Sequence, residues 1–314
     1  MRKIFTVLCG LLLLATPLFA QDKVYDFLNL ERSAKVAALG GNSVSFIGDL
    51  NAFFQNPAVL NSNTNRRGAF SFQKHLMDIN SGFAVYGRSI ESIGDFAAGV
   101  SYVNYGSFDE TDELGNIIGS FAAQDLALQI GYAFDLEEYD YGYLRAGISL
   151  KYIYSNIADY TSSALALDAG IVLVIPESDV EIGFALTNYG WQLAKYDAAS
   201  EDLPTDMRLA LTTRPEGLPL ALTIGLVQLN NDFSLTEKVK NFTIGGEFSF
   251  GEFVRFRLGF NNALRNDVKS GENAGMVGAS AGLGILYRDF HFDYSYSSWG
   301  SIGALHQFSI STTL

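Results

Sequence analysis

The sequence predicts an all-β fold: a transmembrane antiparallel β-barrel of about fourteen strands with a short N-terminal hatch inside it. Three observations carry this. Apolar and polar residues alternate with a period of two from Gly68 onward, the alternating runs are long, and the connections between them switch between long polar loops and tight turns. Alternation puts successive side chains on opposite faces of a strand. Length separates membrane from water here. Strands in soluble proteins commonly run about five or six residues, whereas a tilted strand needs about nine to eleven to cross hydrocarbon. Lipid offers no water to an unpaired N–H or C=O, so the sheet has to close on itself.

The chain begins with Arg2 and Lys3, an apolar run from Ile4 to Leu14, Pro17 and the small-residue ending Leu18-Phe19-Ala20. This reads as a signal peptide over residues 1–20, because the apolar run is too short for a lasting transmembrane helix. Its removal takes away Cys9, the only cysteine, and deepens the formal charge from −13 to −15. A thiol-free acidic chain excludes disulfide and thiol chemistry. It also argues against nucleic acid, whose phosphates need a basic surface.

Residues 21–67 lack strand periodicity. Gly40-Gly41 lets the chain bend, and Asn56-Pro57 is a turn signal. The stretch is too short and glycine-broken for a separate domain. It is expected to fold into the barrel as a hatch, since side chains fill a barrel of about eight strands but not a much wider one. Residues 68–314 form the barrel. Strands are expected near 68–73, 82–89, 94–104, 121–134, 142–154, 162–174, 179–188, 203–214, 219–228, 241–250, 253–261, 276–286, 289–297 and 304–314. Leu144, Ala146, Ile148, Leu150 and Tyr152, for example, oppose Arg145, Gly147, Ser149 and Lys151. Long loops are expected at 105–120, 189–202, 229–240 and 262–275. An even strand count with an exported N-terminus places both termini and the short turns in the periplasm, and the long loops outside. Tyr102, Tyr105, Tyr152, Tyr154, Tyr160, Tyr189, Tyr294 and Tyr296 would form interfacial girdles in contact with outer-membrane lipid and lipopolysaccharide.

Catalysis has no support in the sequence, which contains no nucleophile elbow and no glycine-rich phosphate loop. His75, His291 and His306 are scattered, so neither a metal nor another cofactor is expected. The run Asp109-Glu110-Thr111-Asp112-Glu113 reads as a solvated loop. Arg145, Lys151, Arg255 and Arg257 take the inward parity, and pairing with Glu247, Asp125, Asp293 or hatch carboxylates is expected. The two tryptophans, Trp191 and Trp299, fall in expected external loops. With Tyr196 they are the candidate partner-binding residues, since aromatic anchors often dominate interfaces.

The hatch text, with Gly40, Gly41, Asp49, Asn56, Pro57 and Ala58, resembles the N-terminal hatch of the FadL-like outer-membrane family. More narrowly, Phe54-Gln55-Asn56-Pro57-Ala58, Tyr102-Val103-Asn104-Tyr105-Gly106 and Asn188-Tyr189-Gly190-Trp191-Gln192-Leu193 resemble the PorV/PorQ group of the type IX secretion system. The FadL-like resemblance implies a barrel of about fourteen strands. The narrower one implies a non-enzymatic outer-membrane anchor for a PorZ-like surface protein in a cargo attachment complex. The alternative is a FadL-like transporter of a hydrophobic small molecule. Strand parity favours the anchor, because the inward residues are largely Gly, Ser, Asn and charged, with no inward apolar pocket.

Overall fold

The computed structural model describes residues 23–197, 200–231, 234–268 and 275–314. The expected signal peptide, residues 1–20, lies outside the described residues. Fourteen antiparallel strands close into one barrel, each paired with its sequence neighbours and β1 with β14. They are β1 (Arg67–Lys74), β2 (Asn80–Ile90), β3 (Gly94–Thr111), β4 (Ile117–Tyr139) and β5 (Gly142–Ile157). The next are β6 (Tyr160–Ile175), β7 (Val180–Ala194), β8 (Asp206–Thr213), β9 (Leu220–Leu226) and β10 (Phe242–Phe250). The last are β11 (Val254–Asn261), β12 (Ala279–Tyr287), β13 (Phe290–Ser298) and β14 (Ala304–Thr313). Closure is completed by Leu314, whose N–H donates to Arg66 O at 2.6 Å.

The alternation reads out directly on the outer wall. Phe70, Leu128, Ile130, Ile148, Leu150, Ile224, Leu283 and Phe308 are all exposed outward, a continuous apolar belt that only an apolar surrounding can cover. Tyr102, Tyr152, Tyr160, Tyr189 and Tyr296 also face outward. Tyr105 does not belong with them. It points into the lumen and donates its hydroxyl to Asp125 Oδ2 at 2.7 Å.

Two connections expected as loops are strand in part. β3 and β4 continue as a two-stranded ribbon, pairing from Ser107↔Ala122 to Thr111↔Ile117. The ribbon extends past the last β2–β3 pair, Asn80↔Asn104, and the last β4–β5 pair, Ala123↔Ile157. Polar strands beyond a membrane need no apolar face, so the alternation that marks the other strands is missing there. β7 likewise runs on to Ala194 through a bulge at Asn188, whose φ is +59°. The bulge inserts one residue and reverses the parity. Ile182, Phe184 and Leu186 share one parity before it, and Tyr189, Trp191 and Leu193 are outward after it. This places Trp191 in a strand, not in the expected loop.

The N-terminal segment enters at the end of the barrel that carries the long loops, where Val24 N–H donates to Asp202 O at 3.0 Å. It descends the lumen as the helix α1 (Ala34–Ala38) and four short 3₁₀ turns, leaving at Arg66 at the opposite end. Two further helices, α2 (Leu235–Lys240) and α3 (Asn262–Val268), lie in the loops. Among the described residues, four apolar clusters hold the hatch to the wall. In one, Leu50, Phe53, Phe54 and Leu60 meet Ala69, Val85, Ala97 and Ala133. Each such large side chain contributes about 2 kcal/mol by burial.

Ten inward glycines on ten strands lie against the hatch: Gly87, Gly99, Gly131, Gly147, Gly170, Gly183, Gly225, Gly245, Gly259 and Gly282. A Cβ on any of them would come within 3.0 Å of a hatch atom, closer than real Cβ atoms approach. Without side chains at these positions, the wall admits hatch backbone at Gly87, Gly147, Gly183, Gly245 and Gly259, and hatch side chains at the other five. The inward polar residues then satisfy that irregular backbone. Ala34 N–H donates to Ser309 Oγ at 2.8 Å, Ser280 Oγ to Ala38 O at 3.2 Å, and Gln307 Nε2 to Glu31 O at 3.0 Å.

Candidate functional site

The hatch motif residues each have a place in this seating. α1 is capped by Ser33, whose hydroxyl accepts from Val36 N–H, and it ends on Gly40 and Gly41, at φ +84° and +82°. Those left-handed angles favour glycine. Asp49 caps the 3₁₀ turn Leu50–Phe54 by accepting from Asn51 N–H, and it pairs with Lys35 at 2.8 Å. Asn56 caps the turn Pro57–Val59, accepting from Ala58 N–H at 2.9 Å. The amide of Asn56 donates to Val44 O at 2.6 Å and to Ile171 O in β6 at 3.3 Å. Pro57 occupies the first position of its turn, where no N–H is needed. Ala58 rests against Gly147 of β5. The Asn-Pro-Ala block is thus a pin joining two hatch segments to the wall at β5 and β6.

The lumenal charges pair much as expected for Arg257, which holds Glu247 at 2.6 Å and Asp293. Arg145 pairs with Asp95 and Asp135. Lys151, in contrast, takes Asp168 of the adjacent strand, and Asp125 takes hydroxyls from Tyr105 and Ser155. Arg255 lies at the turn end and donates to the carbonyls of Gly251 and Val254. His75 and His306 bond to Ser81 and Tyr294. No group of metal-ligating side chains occurs among the described residues.

Above the hatch, toward the loop end, lies a cavity of about 600 Å³. Its floor is hatch (Phe27, Leu30, Glu31, Ala37, Gly40, Gly41) and its sides come from β1, β3, β8, β11, β12, β13, β14 and the loops. Apolar contacts are offered by Phe27, Leu30, Ile79, Val103, Leu264 and Leu305. Strand parity could not reveal this lining, because much of it belongs to the hatch and loops, where no period of two exists. The expectation of no apolar pocket is therefore corrected. Glu31 on the floor and Asp206 and Arg208 on the β8 side supply charged groups of the cavity and were not singled out in the sequence. Arg208 pairs with Asp206 at 2.6 Å and donates to Gly41 O at 2.9 Å. Glu31 accepts from Gln55 at 3.2 Å, and burial holds its carboxyl up at about 7 in spite of Arg208 and Arg32 nearby.

The three aromatic candidates are not brought together. Trp299 lines the cavity. Trp191 faces outward on β7, 55% exposed. Tyr196 is half-buried and bonds to Ser155 through its hydroxyl.

No protein-family model matches the chain, and no curated protein matches it. Solved structures do. The toluene transporter TbuX of Ralstonia pickettii is 13% identical with a TM-score of 0.56, over 91% of this chain and 99% of that one. A FadL homologue of Pseudomonas aeruginosa is 11% identical with a TM-score of 0.54, over 94% of this chain and all of that one. The Pseudomonas putida toluene transporter TodX is 11% identical with a TM-score of 0.54, over 94% and 98%. The likeness is one of fold: a hatch-bearing fourteen-strand barrel matched nearly end to end.

Proposed function

We propose that this chain is a non-enzymatic outer-membrane barrel that admits a small lipophilic molecule from outside the cell into the cavity above its hatch. The observation that carries the reading is the cavity itself. Its size suits a small-molecule ligand, and it joins apolar walls to a few polar groups. The near end-to-end fold match to barrels described as toluene transporters and a FadL homologue supports the same reading. The chain's apolar belt and closed sheet fit lipid, and the long loops face outward from the cell if the N-terminus is exported.

The test fills the cavity. Ala279 lines it from β12. Ala279→Trp is expected to reduce uptake of a lipophilic probe to the level of a deletion strain, while the protein keeps the heat-dependent gel mobility of a folded barrel. Uptake that is equal with and without the gene would sink the reading.

A second reading, a PorQ-like component of the type IX secretion system holding a PorZ-like surface protein, is favoured by two observations. The outward residues Tyr189, Trp191 and Leu193 cluster at the loop end of β7. The β3–β4 ribbon projects with Leu114, Ile117 and Ile118 exposed. Surface crosslinking in the native cell, repeated with Trp191→Ala, tests it. A crosslinked surface protein lost in the variant supports the anchor, and unaltered cargo attachment in a deletion strain removes it.

A further inference from the structure

The polar groups around the cavity are unevenly signed. Four carboxylates line it (Asp26, Glu31, Asp206 and Asp267) against two bases, Lys23 and Arg208. The guanidinium of Arg208 is already committed to Asp206 and to Gly41 O. Arg32, behind Glu31, is buried and spends its donors on Leu28 O, Leu30 O and Ser101 Oγ. His75 lines the wall, but burial lowers it to about 4, so it is neutral at ordinary pH. The lining therefore offers a ligand carboxylate no uncommitted guanidinium, only the exposed ammonium of Lys23, and its excess charge repels one. Glu31 sits differently. Its backbone oxygen is fixed by Gln307, its Oε2 by Gln55, and its Oε1 lies over Gly41, where a Cβ would collide with it. A carboxylate held on a cavity floor beside Phe27 and Leu30 is a ready acceptor for a cationic donor under an apolar tail.

We infer that the cavity selects lipophilic amines, seating the ammonium group on Glu31 and the tail against the apolar wall, and turns away the matching carboxylates. This rests on the reading of the cavity as a small-molecule site. The groups facing the Glu31 side chain are Arg32 of its own segment, Gln55 of the hatch, and Arg208 and Asp206 of β8. As Glu31 takes up its proton near pH 7, the seat for an ammonium weakens.

The two tryptophans supply the readout. Trp299 lines the cavity and Trp191 does not, so the full chain carrying Trp191→Phe in phosphatidylcholine vesicles reports on the cavity alone. Titration with dodecylamine, dodecanol and dodecanoate at pH 8 is expected to place the amine at least about tenfold tighter than the carboxylate, with the alcohol between. Glu31→Gln is expected to abolish that order. In the unaltered background, amine binding should fall between pH 8 and pH 6 while alcohol binding holds, which tests Glu31 without a substitution. Dodecanoate binding as tightly as dodecylamine, with dodecanol bound, overturns the selectivity and leaves the cavity reading standing. Failure of all three to change Trp299 fluorescence overturns both.

Discussion

Lys151 and Asp168 are the most deeply buried ion pair among the described residues, with side chains 2% and 0% exposed and 2.9 Å between charges. Asp168 is fully engaged. It also accepts from Gln129, Ser149 and the N–H of Asn188, and Lys151 donates to Asn188 Oδ1 at 2.6 Å. This network fixes the β7 bulge, since Asn188 tolerates a left-handed backbone better than most residues. Removing one partner of such a pair leaves a buried charge uncompensated, at a cost of about 3 to 5 kcal/mol. Lys151→Met should therefore lower the temperature at which the folded gel band converts to the unfolded one, and Lys151→Met with Asp168→Asn should restore much of the loss. A double variant no better than the single would show that the bulge does not depend on charge balance. The inward parity of Lys151 was legible in the sequence. Its partner was not, because choosing Asp168 over Asp125 requires the β5–β6 register, which alternation leaves unspecified. Glu31 was invisible for a related reason, lying in a segment with no period at all.

Strands that face lipid announce themselves, and strands that face water on both sides do not. The fourteen elements lie close to where alternation put them, and the departures are the ribbon of β3 and β4, the turn end of β4 running on to Tyr139, and the extension of β7. The ribbon is stabilised locally. Asp112 accepts from the N–H groups of Leu114 and Asn116 and from the amide of Asn116, Gly115 turns at φ +82°, and Phe108 stacks on Phe121 at 5.3 Å. Neither edge is carried on by β2 or β5. An isolated two-stranded hairpin is marginally stable, so the ribbon contributes little to barrel stability. Replacing residues 107–122 by an Asn-Gly turn should leave membrane insertion and the gel conversion temperature of the barrel unchanged. A barrel that no longer inserts would place the ribbon within the folding unit.

The hatch and the barrel are one packed body rather than a cork in a tube. Ten strands each offer a glycine to the hatch, which presents backbone atoms such as Val44 O to Gly183 and Leu39 O to Gly245, and side chains such as Phe53 to Gly131. Many of the 31 glycines were thus visible on the inward parity, but their purpose needs the hatch in place. A fourteen-strand barrel without contents encloses water, since side chains alone fill only about eight strands. Closure of this lumen then depends on the hatch keeping its seat. A leucine at Gly183 cannot share space with Val44, so Gly183→Leu should shift the hatch without disturbing the outward face or the sheet pairing. Ion conductance of the variant in planar bilayers should rise toward that of a chain lacking residues 23–66. Gly82 gives the matched control, because a Cβ there meets nothing within 4 Å, and Gly82→Ala should remain as closed as the parent. Equal conductance for Gly183→Leu and the parent would mean that the hatch yields locally. The glycine level would then be a clearance for motion and not a seat.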